Sequence, residues 1–242
     1  MPRYAIFADV HSNVEALDAA IAQIRPEDEL LCLGDIVGYG PNPNECVAKI
    51  RALATATVLG NHDVAAIDNF GMAYFNPAAR EAMRWTQRVI DAESTAWLNS
   101  LGYEFRMPEF LLVHGAPKNY FEYILDKAGA ARAFAATDAP LIFIGHTHIA
   151  EYYALENDGS ITHKHLQQGG EIVLVPGVRY IVNVGSVGQP RDLNPRASFG
   201  FFDPEARTID VVRFDYAIAR VQEKIVSAHL PEALARRLLV GR

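Results

Sequence analysis

The chain has 242 residues, of which 50% are hydrophobic and 21% charged, and this length allows one large domain or two small ones. The composition supplies enough apolar side chain for a core and excludes an intrinsically disordered chain. The 22 Lys and Arg residues against 29 Asp and Glu residues give a net charge of -7, which disfavours an extended nucleic-acid-binding surface.

Cysteine content and hydropathy point to the cytoplasm. The two cysteines, Cys32 and Cys46, lie among apolar residues at a spacing that fits neither a disulfide framework nor a zinc knuckle. No apolar run reaches the roughly eighteen residues that span a membrane, and Asp9 interrupts the amino-terminal sequence too early for a signal peptide. We therefore expect a cytoplasmic protein with no membrane contact, whose oligomeric state the sequence does not determine.

Short apolar strands alternate with helices over the first 150 residues, as in an α/β domain with parallel strands. The first strand is predicted at 4–8, and Ser12 or Asn13 can cap a helix whose apolar residues are spaced by three or four positions. Further strands are predicted at 30–33, 56–59, 110–113 and 141–144, and further helices at 44–53, 76–91, 95–99 and 126–136.

The pattern changes after residue 149. The sequence Asn157-Asp158-Gly159 separates two predicted strands, 150–155 and 161–166, and is typical of the turn of an antiparallel hairpin. Because no repeat, low-complexity tract or Pro/Ser linker is present, we expect one domain over residues 1–242 with two stacked sheets. The remaining predicted elements are strands at 171–175, 180–184, 199–202 and 209–214, and one or two helices over 216–240.

Polar clusters follow five of the predicted strands. Because ligand sites in open α/β sheets gather at the carboxyl ends of strands, we expect these clusters to converge on one crevice. Residues i and i+2 that leave a strand point the same way, so Asp9 and His11 can hold one ion together, as can His146 and His148. Carboxylate, imidazole and amide ligands together favour Mn, Fe, Zn or Ni over Ca or Mg. The clusters are Asp9-Val10-His11, Gly34-Asp35, Gly60-Asn61-His62-Asp63, His114-Gly115 and Gly145-His146-Thr147-His148.

In this order, the five motifs resemble those of the calcineurin-like metallophosphoesterase superfamily, and its small prokaryotic phosphodiesterases in particular. The matching residues span Asp9 to His148, more than half of the chain. The resemblance implies a four-layer α-β-β-α sandwich of two mixed sheets flanked by helices, with a dinuclear metal site at the carboxyl ends of the strands. It also implies two divalent metal ions as cofactors, of which manganese is our first expectation.

The resemblance further implies which side chains hold the metals. The first metal would be held by Asp9, His11 and His148. The second would be held by Asn61, His114 and His146, and both would be bridged by Asp35.

The resemblance leaves His62 for catalysis beside the substrate phosphate, with Asp63 placed to orient it. A metal-bridging hydroxide would attack phosphorus in line, and His62 would protonate or stabilise the leaving oxygen. Asn61 and Arg191 are the expected substrate-binding residues, and the expected partner is a small phosphorylated substrate.

The second motif departs from the pattern of many protein phosphatases and dinucleotide tetraphosphatases of the superfamily. Those enzymes have the sequence G-D-x-V-D-R-G, whereas this chain has Gly38 and Tyr39 in place of the Asp-Arg pair. The missing arginine would contact substrate phosphate, and Arg191, in a run similar to one in the small phosphodiesterases, is a candidate to replace it. Phosphodiesters are therefore the predicted substrates. Alternatives are a phosphomonoester, phosphoprotein or dinucleotide polyphosphate hydrolase, or a non-catalytic metal-binding interaction scaffold of the same fold.

Two groups of residues are assigned structural roles. His163 and His165 alternate on the predicted hairpin and are predicted to be exposed strand residues. Five aromatic residues are predicted to pack in the core or in a lid and not to stack on nucleobases: Tyr74, Phe75, Tyr120, Phe121 and Tyr123.

Overall fold

Within residues 2–242, which the computed structural model of the chain describes, twelve strands form two mixed sheets of six. Met1, with which the expected domain begins, lies outside the described residues. In spatial order the first sheet contains β3 (Ala54–Thr57), β2 (Glu29–Cys32), β1 (Tyr4–Phe7), β11 (Ala197–Asp203), β12 (Thr208–Phe214) and β9 (Gly170–Val173). The second contains β4 (Glu104–Arg106), β5 (Leu111–Val113), β6 (Leu141–Ile144), β10 (Arg179–Val184), β7 (Ala150–Leu155) and β8 (Ile161–His165).

Helices flank both sheets, and their starts follow local sequence. The side chains of Asn13 and Asn76 accept hydrogen bonds from the backbone N–H groups of Ala16 and Ala79, which caps two of them. No helix among the described residues has both the length and the apolar character needed to cross a membrane. The helices are α1 (Val14–Ile21), α2 (Pro43–Leu53), α3 (Asn61–Asp68), α4 (Pro77–Val89), α5 (Ala92–Leu98), α6 (Lys127–Ala135), α7 (Ile218–Ser227) and α8 (Glu232–Arg237).

The predicted α-β-β-α layering is confirmed. Every residue of β1 is buried, because Tyr4 and Ile6 face the core between the sheets while Ala5 and Phe7 face the core beneath α1 and α2. On the other side of the molecule, α6 packs on the outer face of the second sheet. Each sheet contains parallel and antiparallel pairs, since β1 pairs parallel with β2 and antiparallel with β11, and β10 does the same with β6 and β7.

Two details near the carboxyl ends of the strands differ from the sequence prediction. The third strand lies two residues earlier than predicted, and α3 begins at Asn61, within a motif for which no helix was predicted. The Asp63 carboxylate accepts a hydrogen bond from the backbone N–H of Gly60. This bond closes the first turn of α3 and does not depend on an apolar periodicity, which is why the pattern gave no helix signal.

Candidate metal centre

The five polar clusters meet at one place. They follow β1, β2 and β3 of the first sheet and β5 and β6 of the second, and the carboxyl ends of these strands face a common crevice between the sheets. All of their candidate ligand carboxylates and imidazoles are buried. The convergence expected from the strand ends is therefore present in the structure.

The ligand atoms fall into two sets that share one carboxylate. Within each set, the ligand atoms all lie within 4.8 Å of one another. Asp35 belongs to both sets, and its Oδ2 lies 3.6 Å from Nε2 of His11 and 3.3 Å from Nε2 of His114. The first set is Asp9, His11, Asp35 and His148, and the second is Asp35, His114 and His146.

Asn61, the amide in the predicted ligand set, lies at the first position of α3. Its Oδ1 is buried and has no hydrogen-bond partner within residues 2–242. A buried amide oxygen without a donor is unfavourable unless something else satisfies it. A cation beside the second set would supply that partner.

Backbone carbonyls fix the orientation of the four imidazoles. Because a carbonyl oxygen only accepts hydrogen bonds, the ring nitrogen beside it carries the hydrogen, and the inner nitrogen of each neutral ring presents a lone pair. The inner nitrogens of His11 and His148 are 3.1 Å apart, and those of His114 and His146 are also 3.1 Å apart. The carbonyl contacts are His11 to Val37, His114 to Leu33, His146 to Phe121 and His148 to Gln189.

This donor set fits metal ions. The inner nitrogens of the neutral His11 and His148 rings present lone pairs to each other at 3.1 Å beside the Asp9 carboxylate, and a cation between them would convert this repulsion into attraction. The mixture of carboxylate, imidazole and amide atoms suits borderline transition metals. The two sets therefore have the ligand composition of a dinuclear site, and the backbone carbonyls that contact the outer ring nitrogens hold the imidazoles in place.

The pKa values of Asp9 and His114 show that the buried carboxylates favour positive charge beside them. Burial raises the pKa of the Asp9 carboxyl to about 7, and the neighbouring Asp35 acts in the same direction. Burial favours neutral His114, but the adjacent Asp35 carboxylate outweighs it and raises the pKa of His114 to about 9. The two buried carboxylates therefore favour positive charge at the position between the ligand sets.

Several of these ligand residues have a left-handed backbone conformation, which sets the direction of their side chains. The φ angles of Asp9, His11 and Asp35 are 54°, 48° and 52°, and those of His146 and His148 are 68° and 60°. Such angles are uncommon outside glycine and are typical of functional sites. Because the chain does not continue as an extended strand here, the i, i+2 expectation is wrong for His146 and His148, which belong to different sets.

His62 lies in a cage of rings beside the first set. Its ring centroid is 4.8 Å from that of His11, 4.5 Å from that of Tyr39 and 4.5 Å from that of Phe75. Burial lowers the pKa of His62 to about 4. A Cβ atom built on Gly38 would lie 2.4 Å from Nδ1 of His62, so this nitrogen packs against the backbone of Gly38.

Asp63 does not orient the His62 imidazole as predicted. Its Oδ1 accepts hydrogen bonds from the backbone N–H groups of Ile36 and Val37, and its Oδ2 accepts the one from Gly60. In the part of the chain that the structure describes, Nδ1 of His62 has no hydrogen-bond partner. Through these three backbone hydrogen bonds, the Asp63 carboxylate joins the loop after β2 to the start of α3.

Arg191 reaches the site from a loop that is distant in sequence. Its Nη2 donates hydrogen bonds to the Tyr39 hydroxyl at 3.2 Å and to Oε1 of Gln189 at 3.0 Å. Sequence reasoning did not identify a second guanidinium, that of Arg237, which lies 5.9 Å from the centroid of the Tyr39 ring. Burial lowers the pKa of Arg237, and the charge of Arg191 adds to this effect. No motif precedes Arg237, so only packing of α8 could reveal it.

A cavity of about 500 Å³ opens beside the second ligand set. Tyr123 stacks on His146 with ring centroids 3.8 Å apart, and Tyr74 is 94% exposed at the cavity rim. Of the two predicted places, core or lid, the core is therefore excluded for Tyr74, and its position at the rim is compatible with a lid. The cavity is lined by Asn61, Phe70, Gly71, Tyr74, Phe75, Asn119, Phe121, Glu122, Tyr123 and His146.

Comparison with known proteins identifies a family and several relatives of this chain. A family model of the calcineurin-like phosphoesterase superfamily domain matches residues 3–207. Protein MJ0912 of Methanocaldococcus jannaschii, which has no assigned function, is 39% identical over 246 residues, covering 98% of each chain. The crystal structure of a metallophosphoesterase from Sphaerobacter thermophilus is 41% identical, with a TM-score of 0.90 over 100% of this chain and 99% of that one. The hypothetical protein PH1004 of Pyrococcus horikoshii shares the fold, with a TM-score of 0.77, 18% identity and coverage of 100% and 99%.

Proposed function

The chain belongs to the calcineurin-like phosphoesterase superfamily, and on that premise we propose that it is a metal-dependent hydrolase of phosphodiesters. The observation that carries the proposal is the pair of buried ligand sets that share Asp35, next to His62 and an open cavity. Ligands, a candidate proton donor and space for a substrate thus lie together. A binding scaffold has no need of all three.

The chain's own residues would hold two divalent ions, of which manganese is our first candidate and iron, zinc or nickel are alternatives. Asp9, His11 and His148 would hold one ion, and Asp35 would bridge the two. When bound, such ions polarise phosphoryl oxygens and lower the pKa of a coordinated water. The second ion would be held by Asn61, His114 and His146.

His62 would act at the leaving oxygen. Its Nδ1 faces the Gly38 backbone, so Nε2 is the atom able to give a proton or a hydrogen bond to the substrate. The surrounding rings of Tyr39 and Phe75 hold the imidazole in place and exclude water from its faces. This orientation supports a role for His62 as electrostatic stabiliser in the neutral form that its lowered pKa favours, and as general acid when it is protonated.

The surroundings of the two ligand sets support a small organic phosphodiester as the substrate. Arg191 would neutralise the phosphate charge from the Tyr39 side. The cavity on the other side has aromatic walls, and its one carboxylate, that of Glu122, is already paired with Arg132, so the cavity suits an uncharged organic group better than a second phosphate. Asn61 lines this cavity and would face the substrate as well as the metal.

We place this reaction in the cytoplasm. Cys32 and Cys46 are both buried free thiols, as is typical of proteins in a reducing compartment. The proposed substrate is a small molecule, since the net charge of -7 gives no advantage in binding long nucleic acids.

The test is turnover of matched aryl substrates by metal-stripped protein supplied with Mn²⁺. We expect bis(p-nitrophenyl) phosphate to be hydrolysed faster than p-nitrophenyl phosphate, and His62→Ala to lose about 100-fold or more of this activity while it keeps its metal content. His229→Asn is the matched control, because His229 is exposed and has a φ of 56° that asparagine tolerates. Faster monoester hydrolysis would overturn the diester assignment. Metal-loaded protein that hydrolyses neither ester would favour the scaffold alternative.

A further inference from the structure

Three potential ligands meet on the β7–β8 hairpin, outside the dinuclear site. Nε2 of His163 lies 2.7 Å from Oε2 of Glu151, and Nδ1 of His165 lies 3.2 Å from the same oxygen. The strand register produces this arrangement, because Glu151 pairs with His165 and Tyr153 pairs with His163 across the hairpin. Side chains at i and i+2 of one strand share a face with those opposite them, so both imidazoles reach the same carboxylate.

Burial distinguishes this cluster from an ordinary surface ion pair. The Glu151 side chain is 3% exposed, whereas that of His163 is 19% exposed and that of His165 is 64% exposed. A carboxylate is rarely buried without compensation. The hydroxyl of Tyr153 donates to Oε1 of Glu151 at 3.4 Å, which leaves Oε2 to the two imidazoles.

We propose that Glu151, His163 and His165 form a third metal site, which binds a zinc-like divalent transition-metal ion independently of the dinuclear site. Two imidazoles and one carboxylate are a common protein ligand set for zinc. Zinc bonds of about 2.0 to 2.1 Å in tetrahedral geometry place ligand atoms roughly 3.3 Å apart. His165 is already at this distance from Oε2, and His163 reaches it by withdrawing about half an ångström as the ion replaces its hydrogen bond.

The position of the site suggests what the ion would do. β8 is an edge strand of the second sheet, and β7 lies one strand inward. An ion held by Glu151 of β7 and both histidines of β8 would cross-link the edge strand to the sheet. The exposure of His165 leaves an open coordination position for water or for a small ligand.

The test is equilibrium dialysis of the full chain, with any histidine tag removed, against micromolar zinc. We expect the wild type to bind one more ion per chain than His163→Ala/His165→Ala, whatever number the dinuclear site holds. The single variant His165→Ala should also lose this ion. It will fold, since His165 is largely exposed. Lys164→Ala is the matched control, because Lys164 pairs with Tyr152 on the opposite face of the hairpin.

The outcomes separate this proposal from the proposed function. Equal zinc content in the wild type and the double variant would overturn the third site and leave the dinuclear site untouched. Conversely, loss of one ion from the double variant with unchanged phosphodiester turnover would establish a site distinct from the catalytic one. A loss in Lys164→Ala as large as that in the double variant would show nonspecific surface binding and would also overturn the proposal.

Discussion

The Asp35 carboxylate, which both ligand sets share, also accepts a hydrogen bond from the backbone of His62. Its Oδ1 accepts a hydrogen bond from the His62 backbone N–H at 2.8 Å, while its Oδ2 faces the imidazoles of both ligand sets. A Cβ atom on Gly60 would lie 2.1 Å from Oδ1, so the contact also depends on a glycine at that position. Metal binding and the placement of His62 are therefore mechanically linked.

Replacement of Asp35 should remove both metals. We expect Asp35→Asn to bind few ions of either set, because the bridging charge is lost, whereas His146→Ala should retain about one ion per chain. Measurement of metal content after reconstitution with Mn²⁺ distinguishes the two cases. Asp158→Asn, at an exposed hairpin turn, is the control. Retention of two ions by Asp35→Asn would contradict the bridging assignment.

The absence of a side chain at Gly38 should matter for catalysis. Gly38 has a φ of 88°, and an added Cβ would collide with Nδ1 of His62. We expect Gly38→Ala to reduce turnover about 100-fold by displacing the imidazole. Gly159→Ala separates this effect from backbone strain, because Gly159 has a φ of 82° and no atom within 4 Å of its built Cβ. That control should lose roughly 1 kcal/mol of stability without loss of turnover.

Removal of the Arg191 guanidinium should weaken substrate binding. We expect Arg191→Ala to lower kcat/KM for an aryl phosphodiester by about 10- to 100-fold, the range of a charge-assisted hydrogen bond. Tyr39→Phe, which removes the hydroxyl that Arg191 contacts, should have a smaller effect. An unchanged kcat/KM in Arg191→Ala would exclude Arg191 from substrate binding.

Tyr74 at the cavity rim should contribute to selection of the organic group. Because its side chain is 94% exposed, Tyr74→Ala should leave the unfolding temperature unchanged. We expect KM for an aryl phosphodiester to rise about 2- to 10-fold through loss of ring stacking, while KM for an aliphatic diester stays the same. Parallel steady-state measurements on the two diesters test this. An equal change for both diesters would contradict a stacking role.

The ion pair between Arg3 and Asp28 should make stability depend on acidity. The Arg3 guanidinium donates two hydrogen bonds to Asp28, at 2.9 and 2.6 Å, and lowers the pKa of that carboxyl below its ordinary value. A group whose pKa is lowered by folding stabilises the protein above its unfolded pKa of 3.8 and loses this effect as the pH falls through the folded value.

We therefore expect Asp28→Asn to be less stable than the wild type by about 1 kcal/mol at neutral pH, with the difference vanishing below the folded pKa of Asp28. Urea unfolding at several pH values measures this difference. The exposed neighbour Glu27 provides the control variant, Glu27→Gln. A difference that persists at acid pH would mean that Asp28→Asn acts through packing alone.

Much of the fold and the ligand inventory could be predicted from local patterns. Strand and helix periodicity gave most strands of the two sheets and most of the helices that flank them, and of the two predicted caps, Ser12 or Asn13, it is Asn13 that caps α1. The position of the motifs after parallel strands predicted their convergence, because the carboxyl ends of such strands share one edge. The helix α3 was not predicted, since the Asp63 contacts that begin it are not visible as periodicity.

The cluster of Glu151, His163 and His165 could also have been predicted from the sequence. His163 and His165 were predicted to be exposed residues of the hairpin, which is confirmed for His165 at 64% exposure and is wrong for His163, whose side chain is only 19% exposed. The turn at Asn157-Asp158-Gly159 sets a register that places Glu151 opposite His165. Pairing the two strands in this register places both histidines on the same face of the hairpin as Glu151.

The sequence by itself determined the identity of the metal-ligand candidates and the strand ends from which they come, because both depend on residues that are neighbours in the chain. The tertiary structure alone decided that Asp63 binds backbone donors, that Nδ1 of His62 faces Gly38, and that Arg191 lies beside Tyr39. These features depend on left-handed φ angles and on contacts between segments far apart in sequence. Local propensity contains no information about either, since they are imposed by packing of the two sheets against each other.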